Sequence, residues 1–91
     1  MRNCKSPIDR FISKIIISPN NCWEWQGSKT KEGYGRFALD KIMIMAHRFS
    51  YEYHVRYIPE NLEIDHICKN KSCVNPSHLE AVTHKVNVSR R

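Results

Sequence analysis

The sequence predicts a small α+β domain, on three observations. Apolar residues recur at helical spacing near the start, at Ile8, Phe11, Ile12 and Ile15. Short aromatic and β-branched runs then alternate with polar turns. The last third reads as strand, polar loop, strand and helix, and the loop is rich in Lys and Asn. The expected order is a helix, three short strands of an antiparallel sheet, a second helix, and then strand–loop–strand–helix. Ninety-one residues are enough for one domain, taken as 1–91.

Taken in order, Ser6-Pro7-Ile8-Asp9 is a helix start, with Ser as the cap, Pro in the first turn and an acid behind it. The periodic apolar positions carry this helix to about Ile16, and Ser18-Pro19-Asn20-Asn21 breaks it. Cys22-Trp23-Glu24-Trp25-Gln26 alternates and is aromatic, so it reads as a strand. A polar turn from Gly27 to Gly33 leads to a second strand, Tyr34 to Leu39. Asp40-Lys41 turns the chain into a third, Ile42 to Ala46. His47 to Val55 suits a short helix with Phe49 and Tyr53 on one side. Pro59-Glu60-Asn61 precedes the strand Leu62 to His66, and Ile67 to Ser77 is too polar for a core element. Leu79 to Val82 is the return strand. Thr83 can cap a final helix through His84, Val86, Asn87 and Arg90.

The hydrophobic share is 41%, and a chain this short buries only a modest core, so a metal or disulfides would add needed stability. The longest apolar run, Ile15-Ile16-Ile17, is far below the roughly 18 residues of a membrane span, and no membrane partner is expected. Behind the opening Met-Arg-Asn-Cys-Lys stands no signal-peptide core or cleavage site, so a cytoplasmic location is the expectation. In that compartment the four cysteines, Cys4, Cys22, Cys68 and Cys73, favour metal ligation over disulfides. The net charge of +6 suits a polyanionic partner, though simple solubility explains it equally well. The charge is uneven: residues 47–68 carry two Arg against four acids, while 69–91 carry five Lys/Arg against one acid.

Two interleaved sets of residues carry chemistry between Asp65 and Asn87. The first is Cys68, Cys73 and His78. Two thiolates and an imidazole within eleven residues suit tetrahedral Zn²⁺. The fourth position falls to Cys22, on the aromatic strand, in preference to Cys4 before the first helix. Four protein ligands close such a site, making it structural and able to order a polar loop. The alternative is a disulfide or unrelated buried thiols. The second set is Asp65, His66 and Asn87. Neighbouring strand residues point to opposite faces, so the hairpin has to bend or twist if Asp65 and His66 are to work together. With the last helix packed across the hairpin, Asn87 could set an amide oxygen beside Asp65, giving oxygen donors for Mg²⁺. A neutral His66 there can take a proton from an attacking water. The alternative is a strand-end His and a helix-surface Asn without chemistry.

These residues resemble the HNH (ββα-metal, His-Me finger) endonuclease signature in its phage-type form. Asp65-His66, Cys68, Cys73, Asn75-Pro76 and His78-Leu79 follow the pattern Asp-His-x-Cys-x4-Cys-x-Asn-Pro-x-His-Leu. The spacing of His66, Cys68, Cys73, His78 and Asn87 is similar to zinc-bearing His-Me finger homing endonucleases. Cys22-Trp23-Glu24-Trp25, Gly33 to Phe37 and His47-Arg48 are similar to the lead-in of that group, so the likeness covers about residues 22–88.

The resemblance implies a ββα-metal core at about 62–91 and hydrolysis of DNA, leaving 5′-phosphate and 3′-hydroxyl ends. It implies His66 as general base, Asp65 and Asn87 as ligands of catalytic Mg²⁺ or Mn²⁺, and Arg36 as a strand arginine on the phosphate. It also implies Cys22, Cys68, Cys73 and His78 as structural zinc ligands, with Asn75 bracing the hairpin. Arg48, Lys69, Lys71, Lys85, Arg90 and Arg91 are expected on the DNA backbone, with affinity falling steeply as salt rises. One catalytic set per chain makes a double-strand break the work of a homodimer, two visits, or another phage or host protein. The rival reading, from a different class, is a non-catalytic zinc-stapled DNA-binding module, which has no need of Asp65, His66 and Asn87. An RNA-directed nuclease is a third.

Overall fold

The computed structural model describes residues 6–89. Ser6 caps α1 (Pro7–Ile12), its hydroxyl accepting from the Asp9 amide at 3.3 Å. The helix ends at Ile12 rather than near Ile16. Ile15–Ile17 instead form β1, paired antiparallel with β2 (Trp23–Trp25) in the register Ile15↔Trp25 and Ile17↔Trp23. Three successive β-branched residues favour extended chain, and the aromatic partner strand outweighs the helical spacing that includes Ile15.

β3 (Arg36–Leu39) and β4 (Ile42–Met45) form the next hairpin. Its turn residues, Asp40 and Lys41, take left-handed φ values of 51° and 69°, the twist a two-residue hairpin turn requires. The expected three-stranded sheet is not formed. β2 forms no ladder with the β3–β4 ribbon, because both of its edges are occupied; the isolated bridge Lys29↔Gly35 lies in the segment between them. One edge holds β1. The other holds the polar loop of residues 67–78, through Val74 N–H to the Trp23 carbonyl at 2.9 Å and Trp25 N–H to the Ser72 carbonyl at 3.0 Å.

α2 (Ala46–His54) follows β4 directly, and the chain then enters the hairpin of β5 (Leu62–His66) and β6 (Leu79–Thr83). The ladder runs unbroken from Leu62↔Thr83 to His66↔Leu79. A single 3-10 turn at Pro76–His78 closes the loop between these strands. α3 (His84–Ser89) leaves β6 with no linker, and Thr83 caps it, accepting from the Val86 amide at 3.2 Å. The α+β class and the strand–loop–strand–helix close are as expected. Among the described residues no helix is long and apolar enough to cross a membrane.

Two small cores hold these ribbons together. Phe11, Trp25, Phe37, Ala46 and Val74 form the first, and Tyr51, Ile58, Ile64 and Leu79 the second. Trp25 is central to the first, with ring centroids 4.8 Å from Phe11 and 5.8 Å from Phe37. Its indole N–H reaches the carbonyls of Ser28 and Arg36, at 3.0 and 3.1 Å. Gly35 lies so close to this ring that a Cβ there would stand 2.6 Å from Trp25 Cδ1. Neither partner has room to move, since the ring is fully buried. Gly35→Ala is therefore expected to lower stability by about 1–3 kcal/mol through overpacking. Urea denaturation of the two proteins checks this, and equal midpoints would contradict it.

Candidate active site and metal centre

The polar loop brings four metal-competent side chains together. The sulfur atoms of Cys22, Cys68 and Cys73 and a ring nitrogen of His78 all lie within 4.8 Å of one another. The three cysteines are free, which removes the disulfide alternative for them. His78 Nδ1 stands 3.6 Å from Cys22 Sγ and 3.5 Å from Cys73 Sγ. A tetrahedral zinc, with Zn–S near 2.3 Å and Zn–N near 2.0 Å, separates sulfur from nitrogen by about 3.5 Å. Two of the edges of such a tetrahedron are therefore already in place.

Asn75 joins the parts. Its amide N–H donates to the Asn21 carbonyl at 2.7 Å, beside Cys22, and its oxygen accepts from the Ser77 amide at 2.9 Å, beside His78. Burial pushes the Cys73 thiol up to about 12 and raises Cys68 as well. A metal cation is the partner that lets such buried sulfurs ionise.

Next to this cluster, Asp65, His66 and Asn87 line a cleft of about 430 Å³, together with Tyr34, Lys69 and Lys71. Three consecutive strand residues, Ile64, Asp65 and His66, face this space. The cleft therefore wraps the edge of β5 instead of lying over one face. The β5–β6 ladder is unbroken as far as His66, and the chain turns after the strand, at Lys69 with φ 65°.

His66 is buried, and its Nε2 has no hydrogen-bond partner among the described residues. Burial, helped by Lys71, lowers its pKa below the ordinary histidine value, against the pull of Asp65 and of a hydrogen bond with the Cys73 backbone. The ring is thus neutral near pH 7. Asn87 donates from Nδ2 to Glu63 Oε1 at 2.7 Å, and the other oxygen of Glu63 is 2.7 Å from His84 Nδ1.

A second recess of about 210 Å³ shares Tyr34 and Asn87 with the cleft and extends to His47, Arg48 and Glu63. His47 packs on His66 with ring centroids 4.6 Å apart, and Tyr34 lies 5.6 Å from both rings. His47 Nδ1 is also buried without a partner among the described residues.

The basic residues divide. Lys69, Lys71 and Arg48 line these spaces, and Lys71 Nζ also sits 5.5 Å from the Tyr34 ring centroid. Arg36 lines neither: its guanidinium donates to Ser28 Oγ at 3.0 Å on the exposed side of β3. Lys85 is exposed on α3, away from both spaces. Cys4, Arg90 and Arg91 lie outside the described residues. Sequence reasoning did not single out Tyr34, His47 or Glu63 for a role. The signals were present in the aromatic residue between Gly33 and Gly35, in the His-Arg pair at 47–48, and in an acid two residues before Asp65 on the same strand.

Part of this chain is similar to known proteins. A family model described as HNH endonuclease matches residues 45–89, the stretch containing α2, the β5–β6 hairpin and α3. Protein 2.8 of Escherichia phage T7 is 30% identical over 81 residues, covering 87% of this chain and 55% of that protein. Protein 7.7 of the same phage is 36% identical over 67 residues, covering 74% of this chain and 52% of that protein. The Uncharacterized gene 5.3 protein of Enterobacteria phage T3 is 33% identical over 66 residues, with 66% and 65% covered. The chain thus spans roughly half to two thirds of the length of these curated relatives. No solved structure matches it.

The buried His47 generates a pH prediction. Burial first, then the neighbouring His66 and Arg48, lowers its pKa to about 3. Below the unfolded value of 6.5 the unfolded chain takes up a proton that the folded chain refuses. Stability is therefore lost as pH falls from 6.5 toward 3. At pH 5 this amounts to about 2 kcal/mol relative to pH 7.5 and above. His47→Gln should remove that part of the loss. Denaturation of both proteins at pH 7.5 and pH 5.0 measures it, and parallel losses would contradict the assignment.

Proposed function

We propose, the chain being a member of the HNH endonuclease family, that it is a divalent-metal-dependent DNA endonuclease braced by a structural zinc. The observation that carries this reading is the meeting of Asp65, His66 and Asn87 along one cleft, with His66 Nε2 buried and unpartnered. A neutral ring nitrogen without a partner among the described residues is suited to take the proton of a water aimed at a phosphate. A pure binding module has no use for it.

The Asp65 carboxylate and the Asn87 amide oxygen are hard donors that fit Mg²⁺ or Mn²⁺, and they are the residues that would hold it. Bound there, the ion supplies charge neutralisation at the phosphate and the leaving oxygen. His66 accepts the proton as the water oxygen bonds to phosphorus. The bond from phosphorus to the 3′-oxygen breaks, leaving a 5′-phosphate. The 3′-oxygen takes a proton from solvent and becomes a hydroxyl. Lys69 and Lys71 from the cleft wall, and Arg48 from the adjoining recess, meet the phosphate backbone. Lys85 on α3, and Arg90 and Arg91 after it in the sequence, add positive charge for the same polyanion. Cys22, Cys68, Cys73 and His78 would hold zinc, which fixes the loop carrying Cys73 beside His66.

Plasmid cleavage in Mg²⁺ tests the catalytic reading. His66→Ala should cut about 10²–10⁴-fold more slowly while keeping its fold, its zinc and its DNA affinity. Asn87→Ala should be partly restored by excess Mg²⁺ or Mn²⁺. Wild-type cutting by His66→Ala would sink the assignment of the base. Elemental analysis should find one zinc per chain in the wild type and its loss in Cys73→Ser. Folded protein without zinc would overturn the structural site, and unchanged zinc affinity in Cys22→Ser would move the fourth ligand elsewhere, to Cys4 first.

A further inference from the structure

Asn87 is useful to a cation only if its amide oxygen, not its NH₂ group, faces the cleft. A side-chain amide can flip, and an NH₂ group turned inward would repel the ion. The structure supplies a device against the flip. Glu63 is a carboxylate and can only accept hydrogen bonds. Its Oε1 receives Asn87 Nδ2 at 2.7 Å, which leaves the Asn87 oxygen as the end available to the cleft. Its Oε2 stands 2.7 Å from His84 Nδ1, and a carboxylate oxygen there requires that nitrogen to carry the proton. Both oxygens are thus engaged from α3, one turn apart along the helix. Glu63 itself sits on β5, paired with Val82, where the ladder is regular and cannot shift. It is only partly exposed and lines the recess that ends on Asn87.

We infer that Glu63 is a positioning residue: it holds the Asn87 amide in the one orientation that presents oxygen to a divalent cation. The inference rests on the reading of Asn87 as a cation ligand. It adds a residue to that site and assigns the β5–α3 contact a task besides packing. Glu63 and Asp65, two apart on one strand, then divide the work, one orienting a ligand and the other serving as one.

The test uses the zinc-loaded protein without DNA. Two quantities are read: Mn²⁺ affinity by water-proton relaxation, and the Asn87 side-chain NH₂ signals by NMR. Glu63→Ala should weaken Mn²⁺ binding by about 10–100-fold, the usual effect of removing a group that orients a ligand, with zinc content unchanged. The Asn87 NH₂ protons should shift and exchange faster with water. Glu63→Gln keeps an acceptor oxygen and should recover most of the affinity.

Unchanged Asn87 signals in Glu63→Ala would overturn the inference, as would unchanged Mn²⁺ binding when Asn87→Ala does weaken it. Persistent Asn87 signals with equal loss in Glu63→Ala and Glu63→Gln would make Glu63 a ligand and overturn it too. If Asn87→Ala itself binds Mn²⁺ like the wild type, the ligand reading has failed, and the inference built on it falls for that separate reason.

Discussion

The polar loop between β5 and β6 contributes only Val74 to the first apolar core, and the site depends on that loop being tied to β2. Val74 and Trp25 bond across to it and from it through the backbone. The Glu24 carboxylate receives Asn70 Nδ2 at 2.7 Å and Ser72 Oγ at 3.0 Å. These bonds put Cys68, Cys73 and His78 against Cys22. They also set the Cys73 backbone that meets the His66 ring. The histidine of the cleft is therefore oriented from the metal-competent side of the hairpin, and the two clusters are mechanically one object.

Much of this was legible in the sequence, and the failures have a common cause. The β5–β6 hairpin and the interleaved Cys and His spacing are local patterns, and the hairpin and the four-residue cluster emerged as expected. β1 was missed because Ile15 fits a helical period and its strand partner lies beyond a turn, where periodicity cannot see. The three-stranded sheet was expected because β2 and β3 are neighbours in sequence. The edge β3 would have used is taken by residues 72–74, far along the chain. Arg36 drew attention as an arginine on a strand. Its side chain faces Ser28, whereas Arg48 on a helix lines the recess beside the cleft. Tyr34 and His47 stand in stretches that carry the resemblance but gain a role only from the fold, which stacks them on His66.

Burying two histidine nitrogens that have no partner among the described residues is costly, on the order of 1–3 kcal/mol for each unsatisfied polar group. A domain with two small cores has little stability to set against that. The aromatic packing around Trp25 and the cysteine cluster are the features that offset it, and both converge on β2. The strain is concentrated at the cleft and the compensation lies beside it.

The contacts between Glu24 and the loop also fix an order of assembly. They join residues 46 and 48 positions apart, whereas the β3–β4 hairpin closes over a two-residue turn. Closing the longer loop surrenders more chain entropy before any contact rewards it. The short hairpins can form early and independently, each incomplete. The aromatic strand docks onto the loop last, and only then are Cys22 and the other three side chains in reach of one another. The cluster of Cys22, Cys68, Cys73 and His78 thus depends on the docking of β2, and a chain in which β2 has not docked has no assembled metal-competent site.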